Sequence, residues 1–212
     1  AVIMESIQGD AGVRIPSKEY MQALRKRCSE VGALLILDEI QSGMGRSGKM
    51  WAFEHYDMVP DLMTSGKALG AGLPIGCLAA SNKLMQKFSV NPMLGHITTF
   101  GGHPLVCAAA AAGLKVLRKE KLIEKVDEKA QLIKGYLKHP KIVEVRNRGL
   151  MFAVELQDAE QVQKVVLKGL EEGLLLFWFL STPNAFRLAP PLTISKEEIE
   201  KGMKKLLELL DE

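Results

Sequence analysis

Aromatic side chains are scarce in this 212-residue chain: seven Phe, three Tyr and two Trp make up 6% of it. No basic stripe interleaved with aromatics is present to stack nucleic-acid bases. The net charge of +3 comes from 28 basic and 25 acidic residues mixed along the chain, so a pI near 8.7 is no nucleic-acid footprint. The three cysteines, Cys28, Cys77 and Cys107, are too widely spaced for a disulfide framework or a metal motif. A reducing, cytoplasmic compartment is the expectation. His55, His96, His103 and His139 show no metal-ligand spacing either, and no metal site is expected. Outside the Ala108–Ala112 run, the longest apolar stretch is Gly173 to Leu180, far below the ~18 residues of a membrane span. What is there, at 47% hydrophobic, suffices for the core of one or two domains.

Short apolar runs alternate with amphipathic segments. AVIMES (1–6) reads as a buried strand followed by a Gly-rich loop. A helix is expected to about Val31, capped by Ser17, with Tyr20, Met21, Leu24 and Cys28 on one face. Strands are expected over 34–38 and 61–65, joined by a long Gly-rich loop, and IGCLAA (75–80) reads as a returning strand. Apolar strands alternating with helices imply a sheet covered on both faces. The polar stretch Asn82 to His96 leads to ITTFGGHP, a helix from Pro104 to about Lys119, and a second helix from about Leu122 to Leu137. The alanine run is read as a tightly packed helix face. A small α+β unit follows: strands near 142–146 and 150–156, helix 158–172, strands 174–178 and 185–189, and helix 195–210 with Ser195 and Glu198 spaced as a capping box. The domain boundary is placed near residue 120, giving units 1–120 and 121–212.

Two motifs compete for residues 34–67. Gly43 to Lys49 satisfies G-x-x-x-x-G-K after a strand, most of a phosphate-cradling loop. A working loop of that kind needs Ser or Thr next to ligate magnesium, and position 50 is Met. The residues after Lys49 also lack a helical stripe, which leaves Lys49 as a solvated loop lysine. The second motif ends one apolar run on Asp38 and the next on Lys67, the latter among Gly66, Gly70 and Gly72. In an open α/β sheet the carboxyl edge of the strands is where ligands bind. A lysine and an acid at neighbouring strand ends are what pyridoxal phosphate needs: an amine to bond its aldehyde and a carboxylate for its pyridinium nitrogen.

The stretch resembles the signature of the class III (subgroup II) pyridoxal-phosphate aminotransferases, the group holding acetylornithine, ornithine and 4-aminobutyrate aminotransferases. Leu35, Ile36, Asp38, Glu39, Ile40 and Gly43 fit its first half, and Asp61, Leu62, Met63, Gly66 and Lys67 its second. ESIQGDAGV, TTFGGHP and AFRLAPPLTIS extend the likeness over essentially the whole chain. The resemblance implies a fold-type I pyridoxal-phosphate transferase of the α/β class, here part of the large-domain sheet plus a small α+β carboxyl-terminal domain. It implies an upstream half carrying a phosphate-binding turn and a ring-stacking aromatic. The chain is therefore expected to be the carboxyl-terminal portion of a larger enzyme.

The resemblance also assigns residues. Lys67 is expected to bond the cofactor and act as the base, and Asp38 to hold the pyridinium proton. Gln41 is expected to bond the phenolic oxygen, and Thr99 to supply a phosphate ligand to the neighbouring subunit of a homodimer. Glu39 is left a structural role, and Arg146 and Arg148 no chemistry. Arg187 would grip a substrate α-carboxylate, and Glu5 lies near the ring. Asp10 stands where relatives often carry a glutamate that pairs with the arginine matching Arg187, one methylene shorter. Ala71 stands where relatives often carry Gly, and His103 where they often carry Asn. The implied reaction is amino transfer from ornithine or an N-acylornithine to a 2-oxo acid, 2-oxoglutarate first. The alternatives are another reaction of the class, such as 4-aminobutyrate transamination, an aminomutase, racemase or decarboxylase, or a non-catalytic fragment.

Overall fold

The computed structural model describes residues 1–93 and 95–212. Leu94, within the polar stretch Asn82–His96, lies outside the described residues. The chain divides into two compact units. The first comprises Ala1–Ser6, Pro16–Met44 and Trp51–Glu120; the second comprises Ile7–Ile15, Gly45–Met50 and Lys121–Glu212. Two loops thus leave the strands they follow in sequence and fold with the carboxyl-terminal unit.

The first unit is built on a four-stranded sheet in the order β1 (Val2–Glu5), β2 (Leu35–Asp38), β3 (Leu62–Gly66), β4 (Gly76–Ala80). The first three strands are parallel and β4 returns antiparallel to β3. Helix α1 (Lys18–Glu30) connects β1 to β2, and the Ser17 hydroxyl caps it by accepting from the Tyr20 N–H at 3.2 Å. Its Met21 and Cys28 pack with Leu35, Leu37, Tyr56 and Met58, and with Val2 and Met4 from β1. Side chains alternate across a strand, so Ile3 points to the opposite face and is exposed. The expectation of a buried first strand is corrected accordingly: α1 covers one face of β1, and Ile3 stands exposed on the other. Tyr20, expected on the packed face of α1, is also exposed; it lies next to Met21, one residue round the helix from the buried stripe.

A single turn, α2 (Asn82–Met85), and the long helix α3 (Pro104–Lys119) complete the unit. In α3 the packed stripe runs through Val106, Ala110, Leu114 and Leu117, at helical spacing. Ala108, Ala111 and Ala112 fall outside that stripe and are exposed, so the alanine run is not the packed face expected of it. Asp61 anchors the start of β2: its Oδ2 accepts from the Leu35 N–H and from Arg25, both at 2.7 Å. Burial acts to raise the Asp61 carboxyl, but these two donors outweigh it and keep it below its ordinary value.

The second unit pairs helices with a sheet in the order β5 (Ile142–Arg148), β6 (Met151–Leu156), β8 (Ala185–Leu188), β7 (Phe177–Trp178), antiparallel throughout. Helices α4 (Val126–Tyr136), α5 (Ala159–Glu171) and α6 (Lys196–Asp211) bury Ile133, Val162, Val166, Ile199 and Leu206 against Phe152, Val154 and Phe186 of the sheet. Ser195 and Glu198 form the expected capping box, at 3.1 and 2.8 Å. The strand expected over 174–178 keeps only its last two residues. The Leu174 N–H instead closes the end of α5 on the Gly169 carbonyl at 2.7 Å, which turns residues 174–176 away from the ladder.

Candidate active site

Three parallel strands end together at one edge of the first sheet. Glu5, Asp38 and Thr64 are direct register partners there, on β1, β2 and β3, so they form one row on one face. The half-buried Asp38 accepts from the Ile40 N–H through Oδ1 at 2.8 Å; among the described residues Oδ2 has no bonded partner. Beside it the Thr64 hydroxyl is buried and has no hydrogen-bond partner among the described residues. Sequence reasoning passed over Thr64, because the register that pairs it with Asp38 is set between the two strands and not by its position before Lys67.

Lys67 follows directly on β3, at the start of a 3-10 turn through Gly70. Its φ is +43°, a left-handed value costing a lysine on the order of 1–3 kcal/mol. Gly66 makes the approach possible: a Cβ there would stand 3.0 Å from the Ile75 carbonyl oxygen. The Lys67 amine is exposed and makes no hydrogen bond or ion pair among the described residues. Ala71 closes this turn at φ +48°, which explains why glycine suits the position.

Glu39 adjoins Asp38 but is turned into the protein, 1% exposed. Its carboxylate accepts from the Ser6 and Ser42 hydroxyls at 2.6 and 2.7 Å and from the Ala52 and Phe53 N–H groups, both at 2.9 Å. It ties the ends of β1 and β2 to the 3-10 turn Ala52–Tyr56 and so fixes the backbone that presents Asp38. Glu39→Ala would leave two buried hydroxyls and two N–H groups without an acceptor. It is expected to lower stability by about 3–5 kcal/mol, seen as a shift in the urea unfolding midpoint, with Glu39→Gln less severe.

Gln41 is half-buried in the turn after Glu39. Thr99 is exposed and lines a cleft of about 840 Å³ with Thr98, Gly101, Gly102, Gly76 and Cys77, beside the start of α3, where His103 is the capping residue and Pro104 the first helical one. Backbone N–H groups and hydroxyls in that setting suit an anion. The Gly43–Lys49 segment does not run into a helix; the 3-10 turn Ala52–Tyr56 follows, and Lys49 is exposed.

The second unit carries the remaining candidates. Arg187 on β8 bonds Asp10 through Nη2–Oδ1 at 3.0 Å and lies 4.8 Å from the centre of the Phe179 ring. Its Nε is buried and has no hydrogen-bond partner among the described residues. The guanidinium is thus held by one carboxylate oxygen, with donor capacity to spare for a second carboxylate. The shorter acid at position 10 still reaches. Arg46, which the sequence did not single out, donates to the Leu150 carbonyl at 3.1 Å and the Pro190 carbonyl at 2.5 Å, and burial pushes its pKa down.

The donor set of the first unit fits pyridoxal phosphate: an amine, a carboxylate oxygen and a buried hydroxyl, all without partners among the described residues, lie at one sheet edge. The comparisons agree. The aminotransferase class-III family matches residues 1–210. The chain is 41% identical to an acetylornithine aminotransferase of Caldanaerobacter subterraneus subsp. tengcongensis, over 100% of this chain and 53% of the relative. It is 40% identical to a putrescine aminotransferase of Pectobacterium atrosepticum, over 99% of this chain and 46% of that protein. The crystal structure of an ornithine aminotransferase from Toxoplasma gondii matches with a TM-score of 0.90 at 34% identity, covering 99% of this chain and 51% of that one. The chain spans about half the length of the curated relatives it matches.

Proposed function

The chain belongs to the aminotransferase class-III family, and from that premise we propose that it forms part of a pyridoxal-phosphate-dependent enzyme transferring the amino group of ornithine or an N-acylornithine to 2-oxoglutarate. The observation that carries the reading is the pair Asp38 and Lys67 at the carboxyl ends of adjacent parallel strands. When bound, pyridoxal phosphate supplies an electron sink for the carbon that loses its proton. Lys67 would hold the cofactor through its amine, and the same Nζ, when free, would serve as the base that takes and returns the substrate proton. Asp38 would hold the proton of the ring nitrogen through the carboxylate oxygen not used by the Ile40 N–H. Gln41 would donate to the phenolic oxygen, Glu5 would border the ring, and Thr99 would bind the phosphate of the neighbouring subunit in a cytoplasmic homodimer.

Arg187 binds the substrate α-carboxylate as a two-pronged donor. Asp10 competes for the same guanidinium, so the arginine is neutralised when the bound substrate places no carboxylate there and freed when one arrives. This favours a donor that reacts through an amine remote from its α-carboxylate. Single-turnover spectra with ornithine, N-acetylornithine and putrescine test the assignment: a transaminase converts the bound cofactor to its amine form and releases a carbonyl product, whereas a racemase or decarboxylase accumulates neither. Arg187→Lys, which loses the planar fork, is expected to raise the KM for 2-oxoglutarate roughly 10- to 100-fold with a smaller change in kcat. An unchanged KM would remove Arg187 from the carboxylate site.

A further inference from the structure

Arg146 has no role in the chemistry above, yet its geometry ties it to the Asp10–Arg187 pair. On the sheet of the second unit, Ala153 of β6 is the register partner of Arg146 on β5 and of Arg187 on β8. Residues directly opposite one another in a sheet share a face, so both arginines rise from the same side, two strand spacings or about 10 Å apart. The small side chain of Ala153 lies between them. Across the row runs the loop Ile7–Ile15, closed by reciprocal backbone bonds between Gln8 and Arg14 at 3.0 Å.

The two arginines grip that loop at separate points. Arg187 takes the Asp10 carboxylate, and Arg146 donates from Nε to the Gly12 carbonyl at 2.8 Å. Arg146 is itself held: its side chain is 10% exposed, its Nη1 reaches Glu155 at 2.5 Å and also bonds Glu144, and Glu155 accepts from Asn184 at 3.0 Å. The Arg146 hydrogen bond is the main reason the Glu155 carboxyl lies below its ordinary pKa, so the pair stays charged at neutral pH. Gly12, at φ +82°, has no room for a side chain: a Cβ would stand 2.9 Å from the Thr182 hydroxyl and 3.1 Å from Nη2 of Arg146. Asp10 therefore hangs two residues from a backbone atom fixed by a buried, doubly anchored guanidinium.

We propose that Arg146 is a positioning residue for substrate selection: by fixing the Gly12 carbonyl it sites Asp10 against Arg187, and so sets how strongly the protein's own carboxylate competes with a substrate carboxylate. The proposal rests on the reading of Arg187 as the carboxylate-binding residue. Without the Arg146 bond, the loop samples more positions, Asp10 spends less time on Arg187, and an incoming carboxylate meets less competition. Catalytic groups on the other unit are untouched.

The test measures binding of glutarate, a dicarboxylate with no carbonyl to react, to the holoenzyme by calorimetry, alongside KM and kcat for 2-oxoglutarate. Arg146→Met is expected to tighten glutarate two- to fivefold, the range a half-exposed ion pair supports, and to lower KM by a similar factor; Asp10→Asn is expected to do the same. The double variant should bind no tighter than Asp10→Asn alone. Arg146→Lys keeps a cation beside Glu144 and Glu155 but lacks the Nε donor to Gly12; it should move affinity in the same direction and covers the case in which the Met variant does not fold. Lowered thermal stability with glutarate affinity unchanged in the folded variants overturns the proposal and leaves Arg146 a purely structural brace. Additive effects of Arg146→Met and Asp10→Asn overturn it as well. Glutarate affinity that survives Arg187→Met overturns the reading of Arg187 itself, a result distinguishable because it involves no change at Arg146.

Discussion

Replacing Lys67 with glycine is expected to reduce amino transfer by about 10⁴-fold or more, because one change removes both the covalent anchor of the cofactor and the base that moves the proton. Folding should survive. The backbone at Lys67 has φ +43°, a conformation glycine adopts without strain, so the variant is expected to be at least as stable as the parent towards urea. That combination separates lost chemistry from lost structure. Lys67→Arg should be equally inactive, since a guanidinium keeps the charge but stays protonated and cannot serve as nucleophile or base. In the parent protein, borohydride reduction in the presence of pyridoxal phosphate should leave a pyridoxyl group on Lys67. Label on Lys49, or turnover retained in the glycine variant, would end the assignment.

Asp38→Asn is expected to leave the fold and cofactor binding intact while slowing turnover by about 10²- to 10⁴-fold. The amide oxygen can still accept from the Ile40 N–H, the bond now made by Oδ1 at 2.8 Å, so the turn after β2 keeps its shape. The other arm becomes an NH₂ group, which cannot accept from a protonated ring nitrogen. The ring then loses its positive charge and with it most of its capacity to take up electrons. Rates within threefold of the parent, about 0.7 kcal/mol of barrier, would show that Asp38 is not the partner of the ring nitrogen. The neighbouring Glu39 provides the contrast: its loss should appear in stability first, since its carboxylate is occupied by four donors of the protein.

Local pattern carried most of the fold and pointed to the strand ends where the candidate site lies. The carboxyl ends of β2 and β3 were legible because apolar runs end abruptly at Asp38 and before Lys67, and strand ends are where such a sheet meets its ligands. The capping box at Ser195 and Glu198, and the start of α3 at Pro104, were legible because helix termini are decided by residues within one turn. Exposure was less legible: periodicity names the apolar stripe of α3, but not that Ala108, Ala111 and Ala112 stand outside it.

Only the tertiary structure decided which distant groups meet. The chain by itself gives Glu144, Arg146 and Arg148 as alternating charges on a strand, a period-2 hint that they share a face, and nothing about what that face meets. The register of β5, β6 and β8 puts Arg146 and Arg187 in one row, and the loop Ile7–Ile15, folded onto the second unit, brings Gly12 to an arginine 134 residues away. Strand ends and caps follow from interactions a few residues long, which a sequence states directly. Register follows from pairing strands up to some tens of residues apart, and loop docking from closing segments more than a hundred residues apart; both are stabilised by buried charge and shape that no local window of sequence contains.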